Sequence, residues 1–182
     1  MIEPERTTAR AAEIVAAARS ILDEGGAEAL TMRRLGEAVG MRAPSLYKHF
    51  PDKGAVEVAL MNAGFEEIAD AFERALAQGP PTLNALAATY RAYARANPHL
   101  YRLMTTGPLP RERLRPGVEA RAAAPLVLVL GDPDRARAAW AFAHGMVILE
   151  LDGRFPPDAD PDAAWAAGIA ALAGEAPPDG PA

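Results

Sequence analysis

The sequence predicts an all-α fold, and three observations carry that prediction. Alanine fills 42 of the 182 positions while Val, Ile and Thr together fill 21, so strong helix formers dominate and strand formers are scarce. Apolar residues recur at spacings of three and four over long segments, which places them along one helix face. The 17 prolines fall mainly at 79–81, 108–116, 156–161 and 177–181, between those segments.

Each element has a local justification. Ala11, Ile14, Ala18, Ile21 and Leu22 form one stripe, predicting a first helix over 6–24. Gly25 and Gly26 stop it, since glycine accepts the left-handed backbone that closes a helix. Thr31 is the expected cap of a second helix, with Leu30 stapled onto Leu35 and with Met32, Leu35 and Val39 buried. Gly40 ends it. Pro44 opens a short third helix to Phe50, with Leu46 and Phe50 inward and Ser45, Tyr47, Lys48 and His49 outward or sideways. Asp52 caps a long fourth helix to about Leu76, apolar at Val56, Leu60, Phe65, Ile68, Phe72 and Leu76. Thr82 and Asn97 are expected to cap helices over 83–96 and 98–106, and Pro125 to kink another over 119–130. Asp132 with Pro133, and Asp160 with Pro161, begin the last two, to about Leu151 and Ala173. The sequence has no internal repeat, and 175–182 is a Pro- and Ala-rich tail expected to be disordered.

Composition excludes several classes. Cys is absent, which fits a reducing cytoplasm and removes thiolate metal sites and Cys nucleophiles. The N-terminus lacks the basic-then-apolar order of a secretory signal, and the longest apolar run, 125–130, is far short of the roughly 20 residues that span a bilayer. The expectation is a soluble protein without a membrane partner. His99 and His144 are too few and too far apart to suggest a metal set. No phosphate loop, nucleophile elbow or carboxylate pair appears, and Glu150 with Asp152 reads as a solvated helix end. No cofactor and no catalysis are expected.

Charge is uneven. The net charge is −5, yet residues 31–53 hold Arg33, Arg34, Arg42, Lys48 and Lys53 against Glu37 and Asp52, a local +3 that leaves −8 elsewhere. A basic face on an acidic body suits a phosphate backbone, because contact range is set by a Debye length of about 8 Å.

That same segment has two short helices joined by a Gly-containing turn, the second presenting polar side chains, which matches a helix-turn-helix. Residues 31–41, Thr-Met-Arg-Arg-Leu-Gly-Glu-Ala-Val-Gly-Met, and 44–53, Pro-Ser-Leu-Tyr-Lys-His-Phe-Pro-Asp-Lys, resemble the DNA-binding domain of the tetracycline-repressor (TetR) family. Leu46, Tyr47, His49, Phe50 and Lys53 form the most specific part, and the resemblance runs over about 8–60. It implies that Tyr47 and His49 donate to phosphates, and that Arg42, Ala43, Pro44, Ser45 and Lys48 lie nearest the bases. It further implies that Lys53 meets a phosphate and that Thr31 and Arg33 anchor the second helix to the same strand. The residue chemistry agrees: Arg42 and Lys48 can meet base edges and phosphates alike. Two departures concern rigidity. Arg42 stands where relatives often carry a small hydroxyl, losing a cap worth about 1 kcal/mol. Gly54 replaces a frequent helix former at a cost of very roughly 1 kcal/mol.

Further along, Trp140, His144 and Gly145 within 139–146, and the run 97–104, are similar to the Trp-His-Gly type of C-terminal domain found in part of this family. The resemblance implies a helical bundle that dimerises through its last two long helices and encloses an apolar effector pocket. Tyr90, Tyr93, Tyr101, Met104, Trp140 and His144 are the expected lining, apolar walls with a few polar tips. Trp165, Ile169 and Leu172 are the expected dimerisation stripe, one that a small monomer core need not absorb.

Together these readings divide the chain into a three-helix helix-turn-helix domain at 1–52, an effector-binding and dimerisation domain at 53–174, and the tail. The expected function is a cytoplasmic, homodimeric transcriptional regulator. It would bind a palindromic double-stranded DNA operator as a repressor and be released by a small apolar ligand. The alternative is a helical ligand- or protein-binding module with weak DNA binding.

Overall fold

The computed structural model describes residues 9–174, so the tail expected to be disordered lies outside the described residues. Every regular element among them is helical. In chain order these are α1 Ala9–Ala29, α2 Met32–Ala38, α3 Ala43–Leu46, α4 Lys53–Ala77, α5 Leu83–Ala96, α6 Pro98–Thr105, α7 Val118–Leu130, α8 Pro133–Leu151 and α9 Pro161–Ala173, with a 3-10 turn at Arg111–Arg113. None of these helices is long and apolar enough to cross a membrane.

The caps place the helix starts. Thr31 Oγ1 accepts the Arg34 amide at 3.1 Å and Asp52 Oδ1 the Ala55 amide at 2.6 Å. Thr82 Oγ1 accepts the Ala85 amide at 3.2 Å. Asp132 takes the amides of Asp134 and Arg135, and Asp160 those of Asp162 and Ala163. Each bond satisfies an amide that has no intrahelical partner. Asn97 departs from its expected role: it makes no cap bond, and its Oδ1 accepts from Arg19 at 2.5 Å instead. Pro98 follows it, so the first amide needing a cap is already missing.

Gly26 stops the first helical run as expected, at φ 70°, ψ −173°, and a separate helical turn follows to Ala29. One boundary differs from expectation. The predicted third helix, 44–50, shrinks to α3 and a following turn. Arg42 provides no side-chain cap bond, and Pro51 disfavours helical backbone at Phe50.

The chain forms two compact units. One gathers residues 9–64 with Asn97–Arg115, the other Phe65–Ala96 with residues 116–174, so α4 contributes to both. In the first unit α1 packs on α2 and α6, and α2 on α3. Ile14, Leu22, Leu35 and Leu46 are all 0% exposed there, each worth roughly 1.5–3 kcal/mol of burial.

In the second unit α5, α7, α8 and α9 pack together. Ile68, Phe72 and Leu86 form a core cluster flanked by Tyr90, Tyr93 and Leu126. The stripe expected to await a second subunit is largely absorbed here, since Trp165 and Ile169 are 6% and 4% exposed. The Trp165 indole N–H donates to the Glu150 carboxylate, Phe142 meets the ring edge-on at 5.6 Å, and the Arg91 guanidinium lies over it, 5.6 Å from the centroid. Glu150 is therefore no solvated helix end: its side chain is 11% exposed and 2.9 Å from Arg91 Nε.

Candidate nucleic-acid interface

The presentation of α3 begins with a turn. Gly40 takes φ 64°, a left-handed conformation that side chains resist, and the Met41 amide returns to the Gly36 carbonyl at 2.8 Å. Arg42 is then extended and α3 starts at Ala43. Leu46 and Phe50 are buried beneath it, while Arg42, Ala43, Pro44, Ser45, Tyr47, Lys48 and His49 are exposed. Tyr47 is an exposed aromatic with a hydroxyl at its tip, an arrangement suited to a phosphate oxygen. Among the described residues neither Arg42 nor Lys48 forms an ion pair, so both charges remain available to an anion.

The other expected contacts are partly committed within the unit. Arg33 is highly exposed but pairs with Glu37 at 3.0 Å, one turn along, a bond worth only a few tenths of a kcal/mol. Thr31 is exposed with its oxygen capping α2, which leaves its hydroxyl hydrogen free to donate. The Lys53 ammonium donates to the Ala27 carbonyl at 2.8 Å and lies 3.4 Å from Glu57, so it binds α4 to the last turn of α1.

Two residues that the sequence does not single out complete the frame. Arg10 Nη2 donates to the Val39 carbonyl at 2.8 Å, tying α1 to the end of α2. Arg113, far along the chain, lies 3.3 Å from Asp52, and that bond together with the stronger one from the Ala55 amide holds the Asp52 carboxyl below its ordinary pKa. Neither pairing has a local sequence signal.

The expected effector residues are divided between the two units. Tyr101 and Met104 belong to the first unit, whereas Tyr90, Tyr93, Trp140 and His144 belong to the second. Tyr101 is 2% exposed and Tyr93 donates to Glu67 at 3.1 Å. Trp140 is half exposed and stacks on His144 at 5.9 Å. The cavity beside Tyr90 and Trp140 measures only about 10 Å³, room for at most one water. Exposed apolar side chains in this unit are Val127 and Leu128 of α7 and Trp140 and Leu149 of α8, while exposed Ala163, Ala166, Ala167 and Ala171 line one side of α9. Leu172 is half-buried, and its carbonyl accepts from Arg135 at 2.9 Å.

Comparison with known proteins bears on both halves. Residues 14–60 match the model of bacterial regulatory proteins of the tetR family, and residues 83–172 match a tetracyclin repressor-like C-terminal domain. The finer Trp-His-Gly assignment stays a resemblance carried by residues 139–146. An uncharacterized HTH-type transcriptional regulator of Mycobacterium tuberculosis is 31% identical over 163 residues, 84% of this chain and 74% of that protein. The crystal structure of SCO4313 superposes with a TM-score of 0.75 at 25% identity, covering 95% of this chain and all of that one. A TetR variant from Acinetobacter baumannii AYE, solved in complex with minocycline, shares the fold at a TM-score of 0.63 and 23% identity, over 90% of this chain and 93% of that one. With the exposed polar edge of α3, the capped α2 and these matches together, the chain belongs to the tetR family of bacterial regulatory proteins.

Proposed function

We propose that the chain is a cytoplasmic homodimeric repressor that binds an inverted-repeat operator through α3 and its following turn and is released by a small ligand with an apolar body. The observation that carries this reading is the pair of cations without an ion-pair partner among the described residues, Arg42 and Lys48, set with Tyr47 and His49 on an exposed edge whose other side, Leu46 and Phe50, is buried. Such an edge offers guanidinium and ammonium groups to base edges and hydroxyl and imidazole groups to phosphates. Thr31 and Arg33 add donors from α2, and Ala43, Pro44 and Ser45 set how closely the backbone approaches the bases.

Dimerisation is assigned to the exposed faces of the last helices of the second unit. Leu128, Trp140 and Leu149 supply apolar area, and the alanine side of α9 permits close helix approach. An obligate dimer buries on the order of 2,000 Å² or more. Ligand response is supported by a fold neighbour held with minocycline.

Selection of duplexes from a random oligonucleotide pool by the full chain tests the proposal. Enrichment of an inverted repeat with half-sites about one helical turn apart, roughly 34 Å, is expected. Recovery of unrelated sequences would favour the alternative of a helical binding module with weak DNA affinity.

A further inference from the structure

The first unit contains a half-open cavity of about 510 Å³, within the roughly 300–1,000 Å³ typical of small-molecule sites. Its walls come from α1 (Ala27), the first turns of α4 (Gly54, Glu57, Val58, Met61), α6 (His99, Arg102, Leu103), and the segment after α6 (Thr106, Pro108, Pro110, Arg113). Val58, Met61, Leu103 and the two prolines make it apolar. The charged residues of the lining are Arg102, Arg113 and Glu57, of which Glu57 faces Lys53 at 3.4 Å. An apolar volume with a net positive lining fits a molecule with a hydrocarbon body and an acidic head, because guanidinium binds carboxylate with two parallel, charge-assisted hydrogen bonds.

The segment carrying Arg113 is held at two points. The Arg115 amide donates at 2.9 Å to Asn62, a buried side chain of α4, and Arg113 reaches Asp52 at 3.3 Å. Gly54 leaves room beside the second contact: a β-carbon there would stand 3.0 Å from Arg113 Nη1. The Arg113 to Asp52 pair is solvent-exposed at both ends and so weak enough for another carboxylate to displace. Ala27, on the cavity wall, is the residue whose carbonyl receives Lys53.

We propose that this cavity is a binding site for an acidic amphiphile, a carboxylate on an aliphatic or aromatic body, with Arg102 and Arg113 receiving the head group. The inference rests on the reading of the chain as ligand-responsive and names the ligand class and its place. Binding there presses on the joint between α1 and α4 and draws Arg113 from Asp52, so it acts within the same unit that presents α3.

Calorimetric titration of the full chain with decanoate, decanol and decylammonium, kept below micelle formation, tests it. Decanoate is expected to saturate one site per chain, with decanol and decylammonium weaker by about tenfold or more. Arg113→Gln and Arg102→Gln, each confirmed as folded by its thermal transition, are expected to weaken decanoate about tenfold and to leave decanol unchanged. In the nuclear Overhauser spectrum of chain labelled at the methionine methyls, decanoate is expected to contact Met61. Absence of saturation, decanoate affinity indifferent to both arginine substitutions, or contact with Met146 of α8 in place of Met61 would each overturn the proposal. Operator binding by the ligand-free chain is measured separately. Its loss counts against the repressor reading, whereas failed decanoate binding beside intact operator binding counts against this site alone.

Discussion

The Lys53 ammonium sits 2.8 Å from the Ala27 carbonyl oxygen, so the first residue of α4 closes the last turn of α1 beside the break at Gly26. The carbonyl near a helix end is an orphan acceptor, and a cation there is favoured by the helix dipole as well. The family resemblance assigns this lysine to a phosphate, and in this structure its ammonium donates to Ala27 and faces Glu57.

Lys53→Ala is therefore expected to lower the thermal midpoint and to weaken operator binding while leaving the salt dependence of that binding unchanged. A fall of about one in the slope of log affinity against log salt for each subunit would place Lys53 on a phosphate instead. Binding isotherms at several salt concentrations distinguish the two outcomes.

Arg42 and Tyr47 should separate by what they contact. Arg42→Ala is expected to cost on the order of 1–3 kcal/mol at one base pair of each half-site and to relax preference there. Tyr47→Phe, which removes only a hydroxyl, is expected to weaken cognate and altered sites alike. Competition between the cognate duplex and single-base variants reads both, and equal losses on all duplexes for Arg42→Ala would show that it meets phosphate only.

Much of the fold was legible because its signals are local. Thr31, Asp52, Thr82, Asp132 and Asp160 cap as their side chains dictate, and Pro133 and Pro161 start the helices that follow them. The facing of α9 was not legible, because alanine and other apolar residues surround it and no polar side marks which face turns outward. Trp165 and Ile169 therefore turn inward, Trp165 to Phe142 and Glu150, contacts that periodicity cannot specify. The exposed edge of α3 was legible from a short motif whose inward positions are only two, Leu46 and Phe50. The cavity of the first unit draws on residues 27, 54 to 61 and 99 to 113, a set that nothing short of the folded chain brings together.

The corrected orientation of α9 yields a paired expectation. Trp165→Ala should destabilise the second unit by about 3–5 kcal/mol, as for other large core truncations. Leu128→Glu, at a 71% exposed position, should leave the fold intact and yield monomers in sedimentation. A Leu128→Glu variant that stays dimeric would move the interface off α7, and a Trp165→Ala variant of unchanged stability would contradict its burial.

Burial holds the His144 imidazole below its ordinary pKa of 6.5. As pH falls, the unfolded chain takes up that proton before the folded one does. Stability present above about pH 6.5 is thus lost as pH drops through the lower folded value. Urea unfolding of wild type and His144→Gln at about pH 7.5 and about pH 5.5 is expected to show a larger acid loss for wild type. Equal losses would mean that His144 ionises as freely in the folded chain as in the unfolded one.

The most direct test of the operator-binding claim is the affinity of the purified chain for its selected inverted repeat, by fluorescence anisotropy, as a function of salt. With the net +3 of residues 31–53 from each of two subunits offsetting about six phosphate charges, log K should fall against log salt with a slope near −5, and a scrambled duplex should bind far more weakly. A flat salt response, or equal affinity for the scrambled duplex, would contradict recognition of DNA by α3.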